Sequence, residues 1–286
     1  MANVVIQNEE LSVRINTLGA EITSIQDRNG TEYIWDGNPD IWEGHAPILF
    51  PIVSGLEDGK YRFCGQEYYL EKHGFAMNSE FEVEEQSLDG VTFLLTSSEQ
   101  TRVVYPFDFE FRVRYTLCGR NLSVDFITAN KTQGNMYYSA GAHEAYCIEG
   151  DITNYSIVLE KDEILPRYEV LPSGIINPTP VPCFNSTRDL KLSEEYFTID
   201  AIIFFDMQSR SLSLRDDRTG KAIHIDFPGF DTLLIWRKPG AAYVCIEPWA
   251  GAPDLPWHPA EDFSSKYRIR TLKEGESEIL THRLRF

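Results

Sequence analysis

Three side chains, far apart along the chain, are of types that move protons: Glu247, His143 and His73. Glu247 follows the apolar run Tyr243-Val244-Cys245-Ile246 and precedes Pro248 and Gly251. The run reads as a buried strand, ended by the proline and glycine. An ionised carboxylate at the end of such a strand has lost much of its water, so it needs donors or its pKa rises. A glutamate of raised pKa on a rigid element is what a general base requires. The plainer alternative is a strand-end carboxylate that is solvated or paired with an arginine.

His73 lies in Lys72-His73-Gly74-Phe75-Ala76 and His143 ends Ser139-Ala140-Gly141-Ala142-His143. Small residues beside a polar side chain leave room for a ligand to approach the backbone. The competing reading is a turn histidine capping a strand. The other four differ. His224 alternates within Ala222-Ile223-His224-Ile225-Asp226 as an ordinary strand residue, and His282 sits in a charged terminal strand and reads as surface. His258 falls in a loop, and His45 precedes an apolar segment. Two histidines and a glutamate also match a catalytic zinc ligand set, although no HExxH pattern accompanies them.

The elements that must position these residues are nearly all strands. Alternating or apolar runs occur at Val4–Ile6, Leu11–Ile15, Gly19–Ile25 and Glu32–Trp35, with Asn29-Gly30 as a turn. Further runs are Tyr61–Phe63, Tyr68–Leu70, Phe81–Glu84, Val91–Leu95, Phe109–Tyr115 and Leu122–Asn130. After a proline-bearing stretch from Pro166 to Pro182, read as a surface loop, strands resume at Ala201–Phe205. Ser211–Leu214, Ala222–Phe227, Leu233–Trp236, Lys266–Leu272 and Glu278–Phe286 follow. Ser193–Phe197 reads as a short helical turn, and no amphipathic helix of three turns appears. The expectation is an all-β chain, a large antiparallel β-sandwich with one face of each sheet buried, formed by residues 1–286 as a single domain.

Composition narrows the function. The chain has 286 residues, 42% hydrophobic and 13% aromatic, enough for a sizeable core. Its formal net charge is −18, so phosphate backbones and anionic lipid are repelled: no nucleic-acid partner and no membrane are expected. Five dispersed cysteines, Cys64, Cys118, Cys147, Cys183 and Cys245, include no CxxC and read as reduced thiols. With no signal-peptide pattern at the N-terminus, a cytoplasmic location is expected.

The ordered set His73-Gly74-Phe75-Ala76, Gly141-Ala142-His143 and Cys245-Ile246-Glu247-Pro248-Trp249-Ala250-Gly251…Asp254 resembles the aldose 1-epimerase (galactose mutarotase-like) family, in its LacX-like branch. Ala46–Val53, Tyr68–Leu70 and Phe197–Phe204 support the resemblance, which runs over nearly the whole chain in the family's order. It implies a β-supersandwich and a mutarotase acting on a small-molecule sugar without cofactor or metal. It further implies Glu247 as base towards the C1 hydroxyl, His143 as acid towards the ring oxygen, and His73 as a second donor. Asp200 would hold sugar hydroxyls. Mutarotation needs one group to accept a proton and another to donate one, then the reverse, which Glu and His can do near neutral pH. Trp249 is a candidate for stacking on a pyranose, with core packing as its alternative.

Some positions depart from the family pattern. Met77 stands where an arginine usually follows HGFA, and His143-Glu144-Ala145-Tyr146 replaces His-Pro-x-Phe. If close, Glu144 would favour a protonated His143. Val53-Ser54-Gly55-Leu56 lacks the arginine of classical mutarotases, with Lys72 or Arg62 as possible stand-ins. A hexose-6-phosphate 1-epimerase and a carbohydrate-binding protein without turnover are the competing functions.

Overall fold

The computed structural model describes residues 2–179, 181 and 184–286. Pro180, Pro182 and Cys183 lie outside the described residues. Nine antiparallel strands form the larger sheet, from Phe184–Lys191 at one edge to Glu82–Gln86 at the other. At its centre Ser277–Arg285 pairs with Asn121–Asn130, and Asn121–Asn130 pairs with Phe109–Cys118. The second sheet has six strands. Tyr243–Ala250 pairs on one side with Ala140–Gly141 and Glu144–Cys147, and on the other with Thr232–Trp236. Ala201–Phe205 and Arg167–Val170 complete it. Asn3–Gln7, Leu11–Asn16 and Ile22–Asp27 form a separate three-stranded sheet.

Period-two alternation explains the packing. In Phe109–Cys118 every odd-numbered residue is buried, as expected of a strand with one face on the core. Phe111, Val113, Val124 and Phe126 of the larger sheet share one apolar cluster with Ile202, Phe204, Leu233, Ile235, Val244 and Ile246 of the smaller. The two sheets therefore close on a common core, a β-sandwich as the sequence pattern predicts. The second face of the smaller sheet is covered as well. Ala201, Ile203, Leu234 and Trp249 belong to a different cluster, with Leu49 and Val53 from the loop before residue 55. All eight residues of Tyr243–Ala250 are buried as a result.

Several strands escape the sequence reading. Ala140–Gly141 and Glu144–Cys147 carry little strand propensity and exist because Tyr243–Ala250 pairs with them. Arg167–Val170 lies within the stretch expected to be a loop, and it is an edge strand beside Ala201–Phe205. Glu32–Trp35 makes only isolated bridges, and Lys266–Leu272 contributes strand only at Arg270–Leu272.

His282 corrects its surface reading. It alternates inwards with Leu280 and Leu284, is fully buried, and its Nε2 lies 2.7 Å from Oε1 of the equally buried Glu144. The pair joins the two sheets through the core. Removing one partner leaves the other a buried polar group without its hydrogen bond, at about 1–3 kcal/mol. His282→Leu should lose that much stability in urea unfolding at neutral pH. A loss near zero would mean that the contact contributes nothing.

Candidate active site

Glu247 lies inside its strand, not at the end, because pairing continues through Pro248 to Ala250. Its relative exposure is 0%. Side chains alternate along Tyr243–Ala250, so Val244 and Ile246 enter the common core while Cys245, Glu247 and Trp249 share the opposite face. The neighbouring chain is in continuous register: Gly141 is opposite Trp249 and Glu144 is opposite Ile246. His143 thus falls opposite Glu247, where cross-strand side chains stand on one face. Its Nε2 is 3.3 Å from Glu247 Oε2. Glu144, one residue on, points to the core and to His282, so its carboxylate does not serve His143.

His73 reaches the same place from a loop. Its backbone is left-handed, with φ at +70°, an uncommon state for a residue other than glycine. Two bonds to Ser54 hold it: the His73 N–H donates to Ser54 O at 2.8 Å, and the Ser54 N–H donates to His73 Nδ1 at 3.1 Å. Nδ1 is therefore an acceptor, and the neutral ring carries its proton on Nε2. Gly74 passes so close to Phe50 O that a Cβ there would collide with it. The segment around Phe50 is anchored in turn, since Leu49 and Gly141 exchange backbone bonds of 2.9 and 3.0 Å. The His73 and His143 rings meet edge to face at 5.5 Å.

A cavity of ≈ 240 Å³ opens over this cluster. Every residue singled out for the site lines it: Lys72, His73, His143, Asp200, Glu247 and Trp249. Lys72 Nζ is 3.6 Å from Asp200 Oδ2, and Trp236 Nε1 donates to Asp200 Oδ1 at 2.7 Å. Arg62 is not a stand-in for the missing arginine, as it belongs to an exposed hairpin that lines a different groove. Trp249 is completely buried, and a Cβ on Gly141 would strike its indole. It forms the floor of the cavity rather than an open plate. The sequence reading missed Trp42 and Trp236. Trp42 stacks on the His143 ring at 5.3 Å, and Trp236 meets that ring edge-on at 5.8 Å. In the fold, the missing Cβ of Gly44 makes room for the Trp42 ring.

Desolvation governs the charges. Burial pushes the Glu247 carboxyl well above its ordinary range, opposed by Lys72 and reinforced by Asp200 and Glu144. Burial pushes His143 down to about 3, with Lys72 adding to the effect. His73 is also held well below its ordinary value, first by burial and then by His143 and Lys72. Among the described residues His143 Nδ1 has no hydrogen-bond partner, and the Glu247 carboxyl has His143 Nε2 and the Trp249 indole as its polar neighbours. These polar atoms face one another or the cavity, an arrangement suited to binding a polar ligand and passing protons to it.

A family model for aldose 1-epimerases matches residues 2–283. The plasmid and chromosomal forms of protein LacX from Lactococcus lactis subsp. lactis are each 33% identical over 259 residues, covering 86% of this chain and 87% of theirs. Among solved structures, a galactose mutarotase related enzyme from Lactobacillus acidophilus is 31% identical, with a TM-score of 0.91 over 99% of this chain and 97% of its own. A galactose mutarotase-like protein from Lactobacillus casei is 26% identical, with a TM-score of 0.92 over 99% of both chains.

The Glu247 shift has a consequence for stability. A carboxyl whose folded pKa is raised binds more protons in the folded state at any pH between its unfolded and folded values. Its stabilising effect is full below 4.5 and is lost as pH rises through the folded value. Glu247→Gln removes that loss. In thermal melts across pH, the variant should gain on the wild type steadily above pH 4.5. Parallel curves would show that the carboxyl titrates alike in both states.

Proposed function

The chain belongs to the aldose 1-epimerase family, and we propose that it interconverts the α and β anomers of a free hexose between Glu247 and His143. The observation that carries this reading is the fully buried Glu247 carboxyl 3.3 Å from His143 Nε2, beneath a cavity of small-sugar size. The two oxygens that exchange protons in mutarotation, the C1 hydroxyl and the ring oxygen, are both bonded to C1. An acid and a base that serve them must stand within a few ångströms of one another, as this pair does.

One proton shared by the pair is enough. The Glu247 carboxylate takes the C1 hydroxyl proton while His143 gives one to the ring oxygen. The C1–O bond of the ring breaks and C1 becomes an aldehyde. Rotation about C1–C2 presents its other face. Closure then returns a proton to the C1 oxygen and removes one from the ring oxygen. Burial disfavours a separated carboxylate and imidazolium, so the resting proton sits on Glu247. A bound sugar's hydroxyls supply the dipoles that let it cross to His143. His73, with its proton on Nε2, donates to the sugar. Asp200 accepts from its hydroxyls, with Lys72 and Trp236 fixing the carboxylate. Trp42 and Trp236 offer aromatic surface to the apolar face of the ring.

A neutral sugar suits the cavity better than a hexose phosphate. Lys72 is engaged by Asp200, and Lys238 Nζ donates to Ile41 O. Met77 lines the wall without charge. The chemistry asks for no cofactor. Cys64, Cys118, Cys147 and Cys245 are unpaired thiols, which supports the cytoplasm as the working compartment.

The test is polarimetry or NMR of α-glucose, α-galactose and their 6-phosphates as they equilibrate. The free sugars should equilibrate faster with protein present. Glu247→Gln and His143→Asn should each lose about 10²–10⁴-fold in kcat with unchanged circular dichroism. Full activity in Glu247→Gln would reject the mechanism. Saturable sugar binding without turnover would make the chain a carbohydrate-binding protein.

A further inference from the structure

The sulfur of Cys245 is not explained by anomerisation. It lies two residues before Glu247 on the same strand face, beside the acid–base pair, and is fully buried. One ligand atom from each of His143, Cys245 and Glu247 lies within 4.8 Å of the others. We propose that these three side chains form a site for a thiophilic divalent cation of the zinc class, and that the cation excludes the sugar. The second half of this proposal rests on the anomerase reading, whereas the site itself does not.

Donor chemistry and geometry both support it. Imidazole nitrogen, thiolate and carboxylate are the three ligand types that zinc takes in proteins. Bonds of about 2.0–2.3 Å in a tetrahedral shell put ligand atoms roughly 3.3–3.8 Å apart. His143 Nε2 and Glu247 Oε2 already stand at 3.3 Å, and the three ligand atoms of the cluster lie within 4.8 Å of one another, so they must draw together by about 1 Å at most to close a zinc shell. The atoms are also available. Glu247 is fully buried with His143 Nε2 3.3 Å away and the Trp249 indole beside it, so a cation there takes the place of a contact between two of its own ligands. Three protein ligands leave a fourth position for water, and two of them, His143 and Glu247, line the cavity.

Charge closes the account. Buried side by side, a thiolate and a carboxylate repel one another and lack solvation, and a divalent cation neutralises both. Binding releases the Cys245 thiol proton, together with the Glu247 carboxyl proton where it is present, to solvent. The cation then occupies the two groups on which anomerisation depends.

The experiment is titration of the purified chain with zinc alone by calorimetry and with cobalt alone by absorbance. One equivalent of zinc should bind saturably, and cobalt should show a thiolate charge-transfer band. Cys245→Ala should abolish the band and weaken zinc by roughly tenfold or more, the least that losing a direct ligand costs. Glu247→Gln, which keeps the shape of the side chain, should weaken zinc as well and guards against a folding defect in the cysteine variant. In the wild type, zinc should raise the apparent KM for sugar with kcat unchanged. Absence of saturable binding overturns the site. So does a cobalt band that survives Cys245→Ala, since the exposed Cys64 or Cys118 would then be the ligand. Cysteine-dependent zinc binding in a chain that anomerises no sugar would sink the functional reading and leave the site standing. Anomerisation in a chain that binds no zinc would do the reverse.

Discussion

The structure depends on one uncomfortable placement: a fully buried carboxyl group whose polar neighbours are the His143 imidazole, 3.3 Å away, and the Trp249 indole. A group in that position favours its neutral form, and so does the buried imidazole facing it. Neither can relax by turning to solvent, because the sheet face on which they stand is covered by the Leu49–Val53 segment and by Trp42. The shared proton therefore rests on Glu247, and it crosses to His143 only when a bound ligand supplies the dipoles that buried surroundings withhold.

The fold supplies this placement through register. Tyr243–Ala250 is flanked on both sides by antiparallel partners, so its side chains cannot rotate to another face without a shift of the whole strand. Position 143 falls opposite position 247 on the cavity side, while Glu144 and Ile246 fall opposite one another on the core side. One step along the chain thus separates a group that lines the cavity from a group that ties the two sheets together through His282. His73 arrives by a different device, a left-handed loop residue fixed by two bonds to Ser54, which also set its tautomer.

Much of this was legible in the sequence, for identifiable reasons. Strands with one buried face, such as Phe109–Cys118, announce themselves by alternation, and from these the sandwich follows. Glu247, His73 and His143 drew notice as carboxylate and imidazole among small or apolar neighbours, but their roles, and Asp200 altogether, came from the family resemblance. What stayed hidden depends on partners rather than on local pattern. Ala140–Gly141 and Glu144–Cys147 have the composition of a loop and become strands only against Tyr243–Ala250. Glu144 was weighed as a neighbour of His143 because adjacency in sequence does not say which face a side chain takes. His282 was legible, as the spacing Leu280, His282, Leu284 marks it for the interior, but the charges between those residues masked the alternation. Trp42 and Trp236 are ordinary aromatics by type, and only the tertiary fold brings them over the His143 ring.

The most direct measurement of the central claim is infrared difference spectroscopy of the wild type against Glu247→Gln, across pH and without ligand. A carboxylic-acid carbonyl stretch that belongs to Glu247 should persist well above pH 4.5 and be missing from the variant. If Glu247 instead ionises around 4.5, as a glutamate in water does, the carboxyl is not held neutral by burial, and the shared proton on which the site is built does not exist.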